Sequence, residues 1–296
     1  VLTPEKLKPF VADLTALAPD RCVVASYGRI IPQALLDVVP LWLNVHPSLL
    51  PLYRGATPLQ TVIRDGRRET AVSIIAMDAG MDTGDLLAQT GTLPIGDDET
   101  YGELHDRLAL AGAELLDGVV ARDIAGTREP SISQEQRGNE LGIDAAEIAA
   151  TVTRPLGKED RVLPPYATAR EAVDRIRSLA PAPGAQLIAG LRPTVGTTPL
   201  PSFKILRAHT SRESPLADGR DVPSGTVVAY RGFLYVRAND AWIVVDEVVP
   251  AGKPAMKIDA FANGRRIDEI YAPEDDVVDG LGALRFRERA GELLAR

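Results

Sequence analysis

The sequence predicts an α/β protein: a mostly parallel sheet in the first half, then a small all-β barrel or sandwich. Three observations support this. Up to about residue 123, amphipathic stretches alternate with short apolar ones, the pattern of strands joined by helices. Between residues 185 and 249, short β-type segments recur, separated by Gly and Pro turns. Between these halves, residues 127–165 carry no clean hydrophobic period and read as a connector.

The elements follow in order. Residues 4–17 read as a helix with Leu7, Phe10, Val11, Leu14 and Leu17 on one face. Residues 22–26 form a short apolar strand, ended by Tyr27-Gly28, and residues 31–38 suit a helix with Pro32 in its first turn. Strands are expected at 41–45 and 71–77, with an edge strand within 86–94. A helix at 58–65 is stopped by Gly66. The long helix at 100–123 starts on Thr100, has Glu103 three residues later and ends before Gly126. Asp144 to Thr151 suits a short helix. In the second half a helix is expected at 168–179, with strands at 185–189, 203–208, 225–229, 233–237 and 242–249. A short helix at 259–263 stopped by Gly264 follows, and a charged amphipathic helix covers 282–296.

The bulk composition narrows the function. The chain has 296 residues, 45% hydrophobic and 25% charged, the balance of a globular protein with room for two domains. No apolar run is long enough to cross a membrane, and the first residues carry no signal-peptide pattern. A single cysteine, Cys22, makes neither an intramolecular disulfide nor a Cys-rich zinc site. A cytoplasmic protein is expected. The net charge of −8 argues against gripping nucleic acid by global charge, and 5% aromatics against a base-stacking platform.

The most informative stretch is Asn44-Val45-His46-Pro47-Ser48-Leu49-Leu50-Pro51. Residues two apart on a strand share a face, so Asn44 and His46 point the same way from a strand's carboxyl end, where open α/β sheets bind ligands. An amide and an imidazole aimed at one point can hold an oxyanion and move a proton. A second polar cluster follows the strand at 71–77: Asp78, Gly80, Met81, Asp82, Gly84 and Asp85. Its spacing does not fit an EF-hand loop. It reads as a ligand loop at the same sheet edge, whose carboxylate orients His46 and raises its pKa. The apolar loop from Ser48 to Pro51, before Arg54-Gly55, either packs on the core or covers a flat ring. His105 and His209 read as structural or solvated.

Together, Asn44-x-His46, Ser48-Leu49-Leu50-Pro51, Arg54-Gly55 and Met81-Asp82-Thr83-Gly84-Asp85 resemble the folate-dependent formyltransferases. Residues 176–185, 225–228 and 260–266 add a likeness to the second domain of the methionyl-tRNA formyltransferase family. The resemblance implies a Rossmann-like formyltransferase sheet followed by an OB-like β-barrel. It places a catalytic domain at 1–126, a linker at 127–165, a tRNA-binding domain at 166–272 and a tail at 273–296. It implies that Asn44, His46 and Asp82 are catalytic, with 10-formyltetrahydrofolate as donor, initiator methionyl-tRNA as acceptor and no metal. Asn44 and a protonated His46 would stabilise the tetrahedral oxyanion, and Asp82 would hold His46 or a water. The pterin would lie among Tyr27, Gly28, Ile31, Ser48, Leu49, Leu50, Pro51, Asp78, Gly80 and Met81. Basic residues for the tRNA would be Lys158, Arg161, Arg170, Arg175, Arg177, Lys204, Arg207, Lys253 and Lys257. A monomer is expected.

The chain also departs from the family. The strand–helix–strand that usually precedes residue 4 is expected to be missing, so the sheet is read as N-terminally truncated. Arg154-Pro155-Leu156 replaces a Lys before the Leu, and Pro164-Pro165-Tyr166 replaces an Asp-Trp pair. Competing readings are a sugar-nucleotide amine formyltransferase, a formyltetrahydrofolate hydrolase, and a non-catalytic folate- or RNA-binding remnant. The predicted β-rich second half argues against the first two.

Overall fold

Short apolar strands and the helices packed on them make the first of two units. It takes residues through 62, 67–97 and 103–155, and the second takes 63–66, 98–102 and 156 onward. The computed structural model describes residues 7–164, 167–187, 191–195, 200, 202–216, 222–230, 232–263 and 269–273. The expected helix at 282–296, the tail beyond 273, the Gly264 stop, Pro165-Tyr166 and residues 188–189 lie outside them.

The first unit runs α1 (Val11–Leu17), β1 (Arg21–Ala25), α2 (Gln33–Leu36), β2 (Leu41–His46), α3 (Pro58–Arg64), β3 (Glu69–Thr70), β4 (Ser73–Ala76), β5 (Leu86–Gln89), β6 (Leu93–Pro94), α4 (Tyr101–Ile124), α5 (Gln134–Leu141) and α6 (Ala145–Ala150). Its main sheet has the order β1-β2-β4-β5. One face packs on α4: Leu43, Ile74 and Val119 are buried together, with Val45 and Leu115 against them. Burial of each such side chain contributes about 1.5–3 kcal/mol. Leu14, Leu35 and Val39 form a second cluster with Leu7, Phe10, Val11 and Ile31. Leu17, expected on that face, ends α1 and is 65% exposed.

The sheet is mixed rather than mostly parallel. Only β1–β2 runs parallel, and β4 lies antiparallel to both β2 and β5. Helix–strand alternation does not fix direction: β2 and β4 run antiparallel although a helix, α3, lies between them in sequence. The loop from Met77 to Asp85 contains no helix, so β4 and β5 pair as a hairpin. The expected connector differs as well. Residues 134–141 are helical, and α5 and α6 belong to the first unit, which ends at Pro155. The buried positions of α5 are Gln134 and Gly138, so no apolar stripe marks this helix in the sequence.

The second unit holds α7 (Ala169–Ser178), β7 (Leu191–Val195), β8 (Phe203–Ser211), β9 (Val227–Tyr230), β10 (Phe233–Arg237), β11 (Trp242–Pro250), β12 (Met256–Lys257), α8 (Ile258–Asn263) and β13 (Glu269–Pro273). All its described strand pairings are antiparallel, in the order β12-β11-β10-β9-β13-β7, with β8 on β11. Thr168 and Glu171 cap α7 reciprocally, as a capping box. Ile176 and Leu179 then pack with Ile205, Val227, Val245 and Val248. Of the strand expected at 185–189, the described residues 185–187 make isolated bridges at Ala185 and Gln186. Strands β7, β12 and β13 were not expected.

Candidate active site

Alternation along β2 puts Leu43 and Val45 against α4 and leaves Asn44 and His46 on the opposite face. Because β4 runs antiparallel, its end lies beside the start of β2: the Met77 N–H donates to the Trp42 carbonyl. The aspartate loop therefore leaves at the amino-terminal end of β2, not at the shared carboxyl edge the sequence suggested. It folds back over the face that carries Asn44 and His46.

There Asp82 meets both. Its Oδ1 accepts from Asn44 Nδ2 at 3.0 Å, and its Oδ2 lies 3.6 Å from His46 Nδ1. Oδ2 also accepts from the Gly55 N–H at 2.9 Å. Asp82 takes the left-handed backbone conformation, with φ 54°, which costs a non-glycine residue about 1–2 kcal/mol.

His46 is 4% exposed, and its Nε2 lies 2.9 Å from the Tyr53 carbonyl. A carbonyl can only accept, so Nε2 carries a proton and Nδ1 is the ring nitrogen turned toward Asp82. Burial lowers the His46 pKa. The Asp82 carboxylate and the Tyr53 carbonyl oppose that shift, and Arg54 reinforces it. The carboxylate acts in the expected direction, but the net shift is downward rather than upward, because desolvation outweighs it.

The lowered pKa has a measurable consequence. An unfolded His46 binds a proton near the usual pKa of about 6.5, more tightly than the folded one. Its stabilising contribution is full above that pH and is lost as pH falls toward the folded value. Urea unfolding from about pH 7.5 to about pH 5.5 should show His46→Gln declining less steeply than the parent, by up to about 1.4 kcal/mol per pH unit. Parallel slopes would contradict the assignment.

The expected ligand residues divide into two groups. Ser48 is fully buried; its hydroxyl donates to the Leu52 carbonyl, and its own carbonyl accepts from Ser73 Oγ. Leu50 is buried with Ile75 and Leu86, its carbonyl takes Gln89 Nε2, and Pro51 is buried beside it. The side chains of these three are buried, because a run of leucines between two buried strands is drawn into the core. Leu49 and Ile31 are half-buried. Tyr27, Gly28, Asp78, Gly80 and Met81 are exposed, and Asp78 accepts from the Gly80 N–H and from Thr83 Oγ1. The exposed residues after β1 leave beside the carboxyl end of β2, since Ala25 pairs with Val45.

Several supports escaped the sequence reading. Gln134 Nε2 donates to the carbonyls of Asp82 and Gly84, each at 2.8 Å. The Thr153 N–H donates to the Arg54 carbonyl, Thr153 Oγ1 accepts from the Thr57 N–H, and Thr57 Oγ1 donates to the Arg154 carbonyl. Segment 151–154 thus straps the loop that holds Tyr53 and Gly55. Scattered polar residues with no period gave no sign of this.

Comparison with known proteins decides the family. Residues 4–120 match the formyl transferase family and residues 156–266 the formyl transferase C-terminal domain. The methionyl-tRNA formyltransferase of Symbiobacterium thermophilum is 40% identical over 89% of this chain and 74% of its own length. That of Pelobacter propionicus is 35% identical over 91% and 76%. The chain belongs to the methionyl-tRNA formyltransferase family. The crystal structure of HypX from Aquifex aeolicus in complex with tetrahydrofolic acid shares the fold at a TM-score of 0.57 and 15% identity, over 89% of this chain and 46% of that one.

Within this member of the methionyl-tRNA formyltransferase family, the two matches leave residues 121–155 between them, the stretch that supplies Gln134, Thr151 and Thr153. Among the basic residues expected on the surface, Lys158, Lys204, Lys253 and Lys257 are exposed. Arg177 is not: it is 3% exposed and pairs with the buried Asp174 at 2.7 Å. Arg170 Nε reaches the same carboxylate at 2.9 Å, and Arg175 donates to the Val162 carbonyl. The apolar side of α7 is buried, and Asp174 goes in with it and takes the arginines as partners. His105 is half-buried beside Asp106, and His209 is exposed beside Asp246.

Proposed function

We propose that the chain transfers the formyl group of 10-formyltetrahydrofolate to the α-amine of methionine esterified to initiator tRNA, acting as a cytoplasmic monomer. The observation that carries this is the meeting of Asn44, His46 and Asp82 on one face of β2, with His46 Nδ1 turned toward Asp82. The amine attacks the formyl carbon. The second proton of Asn44 Nδ2 steadies the oxyanion, since the first is held by Asp82. His46 Nδ1 takes the proton that the amine sheds and delivers it to the departing folate nitrogen. While His46 is charged, Asp82 Oδ2 and the Tyr53 carbonyl both stabilise it. The ring of the folate would lie between the exposed segment at Tyr27 and Gly28 and the loop at Asp78 to Met81, with Leu49 below.

The division of labour is part of the proposal. The unit ending at Pro155 does the chemistry, and the second unit holds the tRNA through exposed lysines such as Lys158, Lys204, Lys253 and Lys257. The direct test is transfer by the purified chain. Formyl-methionyl-tRNA and tetrahydrofolate should appear in equal amounts; formate, or transfer only to an amino-sugar nucleotide, would overturn the acceptor assignment. Salt separates the two ligands. The logarithm of tRNA affinity should fall with log salt at a slope of about −0.7 per phosphate contact or steeper, while folate affinity stays nearly flat. Equal slopes would contradict a separate tRNA surface.

A further inference from the structure

We propose that Gln134 is a positioning residue for formyl transfer, fixing where the Asp82 carboxylate stands. The inference rests on the reading of Asp82 as part of the reacting trio, and concerns a residue outside both family matches.

Gln134 opens α5 directly after its N-cap, Ser133, and is 3% exposed. Its amide has one consistent orientation. The nitrogen faces two carbonyls, those of Asp82 and Gly84, and a carbonyl cannot donate. The oxygen faces Arg54 Nε at 2.8 Å, and a guanidinium cannot accept. Two donors and one acceptor therefore reach three separate parts of the site from one buried side chain.

What Gln134 holds is the costly part of the loop. Asp82 is the residue in the left-handed conformation, and such a conformation persists only where its surroundings over-determine it. The Asp82 side chain is held by Asn44 Nδ2 and the Gly55 N–H. Its main chain is held by Gln134 from the other side. Arg54, the third partner of Gln134, has Asp78 and Asp82 among the charges acting on it. Without the amide, two carbonyls lose their donor, Arg54 loses its acceptor, and the loop can relax at residue 82. A displacement of about 1 Å in a reacting group can cost about 10²-fold in rate.

A residue that acts through Asp82 and one that only supports the fold differ in a double-mutant cycle. Gln134→Ala is expected to lower kcat by about 10- to 100-fold and to leave both KM values within about threefold. In an Asp82→Asn background the same change should cost less than about threefold, because the group it positions is already gone. Gln134→Glu keeps an oxygen for Arg54 and loses the donors, so it should behave as Gln134→Ala does. It carries the cycle if Gln134→Ala unfolds at the assay temperature. Additive losses, a near-parental kcat in Gln134→Glu, or a loss borne by KM would overturn the inference and leave the trio standing. An undiminished rate in Asp82→Asn alone would overturn the trio, and the inference with it.

Discussion

Asp82→Ala is expected to lower kcat by about 10²–10³-fold while leaving folate affinity within about threefold. The size follows from how much one carboxylate does. Oδ1 fixes the Asn44 amide; Oδ2 takes the Gly55 N–H and faces His46 Nδ1. Its removal frees the amide that would meet the oxyanion and takes away the charge that would stabilise a protonated His46. Asn44→Ala and His46→Ala should fall in the same range. Because the three act as one unit, the triple variant should be little slower than the slowest single one. Single-turnover formyl transfer beside equilibrium tetrahydrofolate binding makes the test. Losses below about tenfold in all three would remove this mechanism.

Gly55→Ala is the second large effect, and it acts on stability first. Gly55 has φ +107°, a region that side chains rarely enter, and a β-carbon there would stand inside contact distance of the Thr153 carbonyl. That oxygen is main chain, in the segment that bridges in parallel to Gly55, so it cannot rotate away. Backbone strain and overpacking together should cost about 3 kcal/mol or more. Gly126 supplies the control: its φ is +68° with nothing near the added carbon, so Gly126→Ala should cost only about 1 kcal/mol. Urea unfolding of the two variants separates clash from strain, and similar losses in both would refute the assigned role of Thr153. Gly55→Ala should also slow transfer in the fraction that folds, since the Gly55 N–H is one of the bonds on Asp82.

Much of this was legible where a local rule and the tertiary structure agree. The two-residue spacing of Asn44 and His46 needs only the strand period, and β2 obeys it. The helix expected at 168–179 needs only its apolar side, and α7 follows it. The aspartate loop was correctly matched to the histidine, yet its route was not, since strand direction depends on partners that no short window contains. The depth of Ser48 and Leu50 was not legible, because a buried loop and an apolar pocket wall share one composition. The direction of the His46 pKa shift was not legible for a related reason: a neighbouring carboxylate shows in the sequence, and the depth of burial does not. Gln134 was invisible because α5 buries a polar residue and a glycine.

The strap from Gln134 to Arg154 bears on how this chain is divided into modules. The two family matches stop at residue 120 and resume at 156, so an exchange of halves guided by those matches alone would treat the interval as spacer. That interval belongs with the unit that holds Asn44, His46 and Asp82. A hybrid joined at 155 keeps the histidine and aspartate loops tied down, and one joined near 120 inherits Asn44, His46 and Asp82 without the Gln134 and Thr153 tethers.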